Sequence, residues 1–407
     1  MLPFCGKLLA TNETDLWSAR DIKVAPMELR EVKTRKEIRD FVNFPLRLYK
    51  GNPYFVPCFY ADELALFKDD YLYRDQADYV CYSVYDGKKI VGRIVGILQK
   101  VSNEKWKQKR VRFNRFDCID DQEVADMLLG AVEDWARSLG MDEVVGPLGF
   151  SDMEREGLLI EGFDYLSTFE EQYNYSYYQR LIENHGYTKE VDWLERRLFL
   201  KGKPSDRLTR FSNLIMERNH LHFAAAKNTK DFLKKYGEKF FELCEKTYDP
   251  LYMTVPFSEN IKKSLVKSFE LIIDLRFVAM ILDENENPIC FGLVFPSIGK
   301  AIQKSGGRMT PATLIRLLRA IKKPRTLDFA LIGVDPAYAN RGVPAVLLGK
   351  TQEYLAMAGI EYAETNLNLE TNQSVQNLWK NFESIQHKRR RSFVRSLKEP
   401  AKEEAAE

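Results

Sequence analysis

The sequence has little of what builds a metal centre or a disulfide framework. Its six cysteines, Cys5, Cys58, Cys81, Cys118, Cys244 and Cys290, are scattered without a Cys-x-x-Cys pair. That spacing argues against both kinds of site and reads as reduced thiols in a cytoplasmic protein. Only four histidines occur, and of these only His220 and His222 have a spacing that a strand could aim at one ion. The pair alone does not complete a site, and no metal is expected. Charge of one sign is lacking too: 61 Lys and Arg against 59 Asp and Glu leave a net charge of +2. No global field draws in nucleic acid, so no nucleic-acid partner is expected and any anion site must be local. No run of about 18 apolar residues occurs, which argues against a spanning helix. Residues 1–25 lack a basic region followed by an apolar run, because Asn12, Glu13 and Asp15 interrupt them.

What is present is a globular balance, 45% hydrophobic and 29% charged over 407 residues, too long for one ordinary core and sufficient for two. Met27 begins an alternating strand that reaches Val32, residues 34–49 suit a helix, and Pro53 and Pro57 impose a loop. Two β-rich runs, 79–85 and 90–98, flank Asp86-Gly87 as a hairpin, and 111–119 continues as a strand. From Gln122 the residues Val124, Met127, Leu128, Ala131, Val132, Trp135 and Leu139 recur at helical spacing, with Gly140 as the C-cap. A strand over 143–147, a helix over 177–184 and a strand over 192–200 complete this half. The polar segment from Lys201 to Asp206 marks a boundary.

Beyond the boundary the order recurs. A strand over 222–226 and helices over 231–248 and 259–273 precede a hairpin of 277–282 with 289–295. Then come a strand over 327–334, a helix over 343–358, a strand over 361–369, a helix over 373–382 and a closing strand over 388–397. The pattern predicts an α/β protein with mixed sheet and two similar lobes, 27–200 and 201–400. Residues 1–26 read as a loose extension and 401–407 as a solvated tail.

The chemistry concentrates between Gly333 and Leu348. There a strand runs through Gly333-Val334-Asp335-Pro336-Ala337-Tyr338-Ala339-Asn340-Arg341-Gly342 into a helix beginning Val343-Pro344. Backbone N–H groups and the dipole at such a helix N-terminus favour a phosphate. The run resembles motif A of the GNAT acyltransferase superfamily: Val334, Pro336, Tyr338 and Gly342 match, Ala339 stands where Gln or Arg is usual, and Pro344 replaces the last Gly or Ala. Pro344 removes one amide donor yet fits a first helical turn, and Arg341 offers a direct phosphate contact. The later stretch from Asn372 to Phe382 resembles motif B through Asn372, Leu378 and Phe382. Trp379 stands where the family places a Tyr that protonates the leaving thiolate, which indole cannot do.

The resemblance implies two tandem GNAT-like lobes and acyl-CoA or acetyl-CoA as co-substrate. It implies that Val334, Ala339, Asn340, Arg341, Gly342, Val343 and Asn372 surround that co-substrate, with the Val334 N–H polarising the thioester carbonyl. In the first half Phe116-Asp117-Cys118-Ile119-Asp120-Asp121-Gln122 replaces the glycine loop, and its acids repel phosphate. That half is expected to shape the acceptor site, an arrangement similar to tandem GNAT proteins such as N-myristoyltransferase.

The glycine-punctuated runs Gly146 to Met153 and Gly157 to Phe163 resemble a motif of a bacterial two-lobe GNAT-like family and are expected to face the cleft, with a structural Ω-type loop as the alternative. Glu161, Tyr173 and Tyr178 are the substrate-side candidates. The cluster of Tyr173, Tyr175, Tyr177 and Tyr178 suits an apolar amine such as a long-chain base. From Glu361 to Glu370, period-two alternation puts Glu364, Asn366, Asn368 and Glu370 on one face. Unless that stripe is an exposed strand face, Glu364 and Glu370 are the general-base candidates for deprotonating an amine.

Two basic features remain. Residues 313–323 place Leu314, Leu317, Leu318 and Ile321 on one helical face opposite Arg316, Arg319 and Lys323. This fits a helix packed on the core, with an interfacial, lipid-contacting helix as the alternative. His387-Lys388-Arg389-Arg390-Arg391 falls in a strand whose alternation splits its charges, which argues against a nucleic-acid patch. These readings converge on an acyl-CoA-dependent N-acyltransferase for a small-molecule or lipid-like amine, cytoplasmic or peripheral to a membrane. The alternative is a non-catalytic protein that binds acyl-CoA, a lipid or a partner.

Overall fold

Alternating apolar runs in both halves of the chain pair into one sheet. A computed structural model describes residues 26–200 and 202–398. Apart from Pro26, the expected extension over 1–26, with Cys5, and the expected tail over 401–407 lie outside the described residues. The first half supplies strands β1 (Glu28–Glu31), β2 (Ala77–Asp86), β3 (Lys89–Gln99), β4 (Arg110–Cys118), β5 (Glu143–Gly146), β6 (Leu158–Glu161) and β7 (Thr188–Phe199). The second supplies β8 (His222–Phe223), β9 (Val278–Leu282), β10 (Pro288–Pro296), β11 (Thr326–Val334), β12 (Tyr362–Glu364), β13 (Asn368–Leu369) and β14 (Glu383–Ser396). Helices α1 (Arg35–Leu48), α2 (Tyr60–Ala65), α3 (Lys100–Trp106), α4 (Gln122–Ser138) and α5 (Tyr177–Asn184) belong to the first half. The second half adds α6 (Asp206–Arg218), α7 (Thr229–Tyr248), α8 (Glu259–Ile272), α9 (Gly299–Gln303), α10 (Pro311–Lys322), α11 (Val343–Ala356) and α12 (Gln373–Trp379).

Across the sheet the strands run β1-β2-β3-β4-β5-β14-β7-β12-β11-β10-β9-β8, with β6 beside β14 and β13 beside β7. The architecture is the mixed α/β one expected, and it repeats: β4-α4-β5 and β11-α11-β12 each join a parallel strand pair through one helix. The final strand, however, lies among strands of the first half, paired with both β5 and β7. One sheet therefore spans both halves of the chain.

Insertion of β14 carries the basic run 387–391 into the middle of the protein, where alternation sorts it. Lys388 and Arg390 face one way and are buried: Lys388 Nζ bonds Glu364 and Glu195, the latter at 3.3 Å, and Arg390 Nε lies 2.6 Å from Glu195 and 3.2 Å from Glu171. Arg389 and Arg391 face the other way and meet Asp192 at 3.1 and 2.8 Å. Buried charges of this kind persist only when paired.

Two expectations need correction. The strand over 361–369 breaks after Glu364, because Asn366 Oδ1 accepts its neighbour's N–H at Leu367 (2.8 Å) and competes with the ladder. Alternation therefore does not continue from Glu364 to Glu370. In α10 the buried positions are Thr313 and Leu317, while Leu314 and Leu318 face solvent. Among the described residues no helix is long and apolar enough to cross a membrane.

Candidate functional site

β11 and β12 are neighbours only over Thr326–Asp328 and Tyr362–Glu364. Beyond that they part, since β13 leaves to pair with β7, and β11 carries one extra residue, Ala330, relative to β10. A bulge of this kind bends its strand. The gap opens into a cavity of about 590 Å³. Its walls are β11 from Phe329 to Val334, residues 365–369, the end of α7 at Thr247 and Tyr248, and two loops carrying Asp152, Glu154, Glu156, Glu170 and Glu171.

At one end of the cavity β11 runs into the loop before α11. Asp335 accepts the Tyr338 N–H, Pro336 that of Ala339, Tyr338 that of Arg341 and Gly342 that of Ala345. Among the described residues no acceptor meets the N–H groups of Asn340, Gly342 and Val343. Gly342 caps the helix at φ +82, a left-handed backbone that favours glycine, and a Cβ there would lie 2.7 Å from Ile215 Cδ1, which would have to shift. Val334, Pro336, Ala339, Asn340, Pro344 and Asn372 line the cavity. Asn372 also caps α12 through the Val375 N–H (3.3 Å). Gly342 and Val343 lie behind this wall, Val343 being buried, and the Arg341 guanidinium sits 4.8 Å over the Tyr338 ring.

The matching helix of the first half is closed. Asp121 caps α4 with its own carboxylate, accepting the N–H groups of Glu123 and Val124 at 2.9 and 3.4 Å. Asp120 pairs with Arg180 and Asp117 with buried Arg93. The position a phosphate would need at α4 is already filled by a protein anion, whereas α11 offers bare N–H groups.

The proposed base residues do not enter the cavity wall. Glu364 is buried against Lys388, Arg197 (3.1 Å) and His387 (2.8 Å). Burial pushes its carboxyl up, but Lys388 and Arg197, with the His387 ring beside it, outweigh that and hold it well below the usual carboxylate range, making it a poor proton acceptor. Glu195, Glu364 and His387 do bring ligand atoms within 4.8 Å of one another. The Lys388 ammonium already supplies the positive charge at that cluster. Glu370 pairs with Lys189 at 2.7 Å, and Glu161 is exposed beside Arg389 at 3.1 Å. Tyr173 donates to Phe163 O (3.1 Å), and Tyr178 is buried with its hydroxyl 2.9 Å from that of Tyr49. Both tyrosines pack within the first half rather than on the cavity.

What the sequence reading missed are carboxylates on the first-half loops. Burial, reinforced by Asp152, pushes the Glu156 carboxyl up to about 8 against the opposing Arg112 guanidinium. Burial pushes Glu170 up to about 7 against Arg155. Of the glycine-punctuated runs, only Asp152 and Met153 reach the cavity; Glu154 and Glu156 lie in the gap between those runs. Their glycines answer to packing: at Gly162, φ +89, a Cβ would lie 2.1 Å from His387 O on β14.

No protein-family model matches the chain. It is 24% identical over 385 residues to Protein YghO of Escherichia coli, covering 91% of this chain and 95% of that protein. It is likewise 24% identical over 399 residues to a bacterial ceramide synthase of Caulobacter vibrioides, covering 93% and 98%. Among solved structures it superposes on a tandem GNAT protein from the clavulanic acid biosynthesis pathway with a TM-score of 0.52 at 9% identity, over 92% of this chain and 100% of that one. The chain has the tandem GNAT fold. A GCN5-related glucosamine N-acetyltransferase region of a fungal multi-domain β-N-acetylglucosaminidase also matches, with a TM-score of 0.55 at 11% identity over 91% of this chain and 38% of that one. In the repeated order β4-α4 is the counterpart of β11-α11, with a carboxylate at the helix cap.

Proposed function

We propose that the chain is an acyl-CoA-dependent N-acyltransferase, with the CoA pyrophosphate at the loop before α11 and an amine acceptor in the cavity. One observation carries this reading: a single cavity joins that loop and the open edge of β11 to buried carboxylates whose affinity for protons is raised. In the reaction Glu156 takes a proton from the acceptor ammonium. The freed nitrogen lone pair then forms the C–N bond at the thioester carbonyl, the nitrogen gives its second proton to water to leave a neutral amide, the C–S bond breaks, and CoA leaves as a thiolate that regains a proton from solvent. The Val334 N–H polarises the carbonyl.

The acceptor is a long-chain amine on this reading. Leu251, Leu265, Phe269, Phe295 and Phe329 give the cavity apolar walls, while its five carboxylates suit a cationic head. Similarity along nearly the whole chain to a protein named bacterial ceramide synthase is in keeping with this. A non-catalytic acyl-CoA-binding protein is the second reading, favoured by Trp379, whose indole N–H is committed to Asn368 Oδ1 at 2.7 Å.

Calorimetry with acetyl-CoA and long-chain acyl-CoA, followed by transfer assays with amines of increasing chain length, separates these readings. Binding without transfer to any amine leaves the second, and no binding of any CoA removes both. Asn340→Asp adds one negative charge at an exposed loop position and is expected to weaken CoA binding by about 10-fold without loss of fold. Asp121→Ala removes the cap of α4 and is expected to cost about 1 kcal/mol of stability with CoA affinity unchanged. Equal losses of CoA affinity in the two variants would contradict the assignment of CoA to the second half.

A further inference from the structure

From Ser297 to Thr326 the chain holds eight basic residues, Lys300, Lys304, Arg308, Arg316, Arg319, Lys322, Lys323 and Arg325, and no acid. The whole chain is only +2, so everything outside this segment carries a net −6. The segment forms α9 and α10, and α10 is apolar on two faces. Its inner face buries Leu317 against Val56, Ile298, Ala301 and Ile302. Arg316 turns inward as well, donating to Ala301 O (3.1 Å) and Thr313 Oγ1 (3.0 Å). Its outer face leaves Leu314, Ile315 and Leu318 exposed by 40, 50 and 54%, and Met309, two residues before the helix, is 49% exposed. A helix that turns an arginine inward, half-buried, and leaves leucines exposed has its outer face shaped for something other than water.

Around this ridge Lys300, Lys304, Arg319, Lys322 and Lys323 stand at the surface, with no ion pair among the described residues. By contrast, Arg308 stacks over Tyr60 and Arg325 pairs with Glu361.

We propose that this face docks the protein onto an anionic lipid bilayer, with Met309, Leu314, Ile315 and Leu318 entering the headgroup boundary and the surrounding lysines meeting the lipid phosphates. An aliphatic ridge rimmed by lysine is the chemistry of an interfacial helix. Charge decides against the other occupants. A second copy meeting this face across a two-fold axis would set the same cations opposite one another, and nucleic acid would leave four aliphatic side chains without a partner. The inner face of α10 shares its cluster with Leu166 and Phe169, next in the chain to Glu170 on the cavity wall, so the docking face lies one layer behind that wall. The inference rests on this surface alone and does not depend on acyl transfer.

Sedimentation of the full chain with vesicles tests it. The protein should pellet with phosphatidylcholine vesicles containing about one third phosphatidylglycerol, should stay in solution with phosphatidylcholine alone, and should be partly released by high salt. Two variants address the two components: Leu314→Glu with Leu318→Glu for the ridge, and Lys322→Glu with Lys323→Glu for the charge. Each is expected to lower partitioning by about 10-fold or more with an unchanged melting temperature. Should the ridge variant fold poorly, the lysine variant still decides the matter. Wild-type protein that stays in solution with both vesicles overturns the proposal, as does wild-type partitioning by the lysine variant. A concentration-dependent dimer that the ridge variant abolishes, seen by light scattering without vesicle binding, assigns the face to a second copy instead.

Discussion

Replacing Glu156 with Gln is expected to lower turnover by about 10² to 10⁴-fold while acyl-CoA affinity is retained. The argument rests on place and on proton affinity together. Glu156 lines the cavity that also meets Val334 and Asn340, and burial with Asp152 nearby pushes its carboxyl up to about 8. A base is most useful when its pKa lies near the working pH. The ionised form grows as pH rises through about 8, so wild-type turnover should show an acidic limb centred there. The Gln variant should lack that limb.

Stability supplies an independent readout, because a carboxyl raised by burial contributes most below its ordinary value and loses that contribution as pH rises through about 8. Glu156→Gln should therefore melt above wild type at pH 9 and gain nothing at pH 4. Glu364→Gln should leave the acidic limb in place, since that carboxyl is held ionised by Lys388, His387 and Arg197 against its burial. If Glu156→Gln and Glu170→Gln both turn over at the wild-type rate across pH, neither is the base and the proton passes to water.

Arg390→Met is expected to destabilise the protein by about 3–5 kcal/mol, because it leaves buried carboxylates short of a partner. At about 2–4 °C per kcal/mol this is a fall in melting temperature of roughly 10 °C. Arg390 sits in the middle of β14 and bonds Glu195, Glu171 and Gln172 O, all in the interior. The pH dependence should change in a definite sense. Burial pushes Glu195 up, but Lys388 and Arg390 hold it below its ordinary value, so its contribution is present above that value and is lost as pH falls through the depressed one. Without Arg390 the loss should begin at a higher pH. Arg325→Met, which breaks an exposed pair with Glu361, serves as the control and should cost less than about 1 kcal/mol. Equal small effects from both variants would mean that the buried charges do not hold β14 in the sheet.

Elements governed by local pattern were legible in the amino acids. The helix over 122–138 with Gly140 behind it, the hairpin across Asp86-Gly87, and the strand, loop and helix around Gly342 each follow from periodicity, turn chemistry or a backbone that favours glycine. The tandem GNAT fold was legible too, through motif residues that sit close together in the chain. The loop before α11 could be found for that reason, as could the lack of an anion site at the acidic start of α4.

The cavity's carboxylates and the role of β14 could not be found in this way. Period-two alternation set Glu364 and Glu370 on one face, but it cannot see Asn366 turning on its own backbone or Lys388 arriving from a strand far along the chain. Nor can it say which apolar side of α10 is covered, since Leu314 and Leu317 satisfy the same helical spacing and only neighbouring segments choose between them. The amino acids by themselves determined where helices and strands form and where the loop before α11 turns at Gly342, because those depend on backbone and nearest neighbours. Tertiary structure alone decided which carboxylates are paired and which are left in a cavity with raised proton affinity, because burial and charge pairing are set by residues brought together from distant parts of the chain.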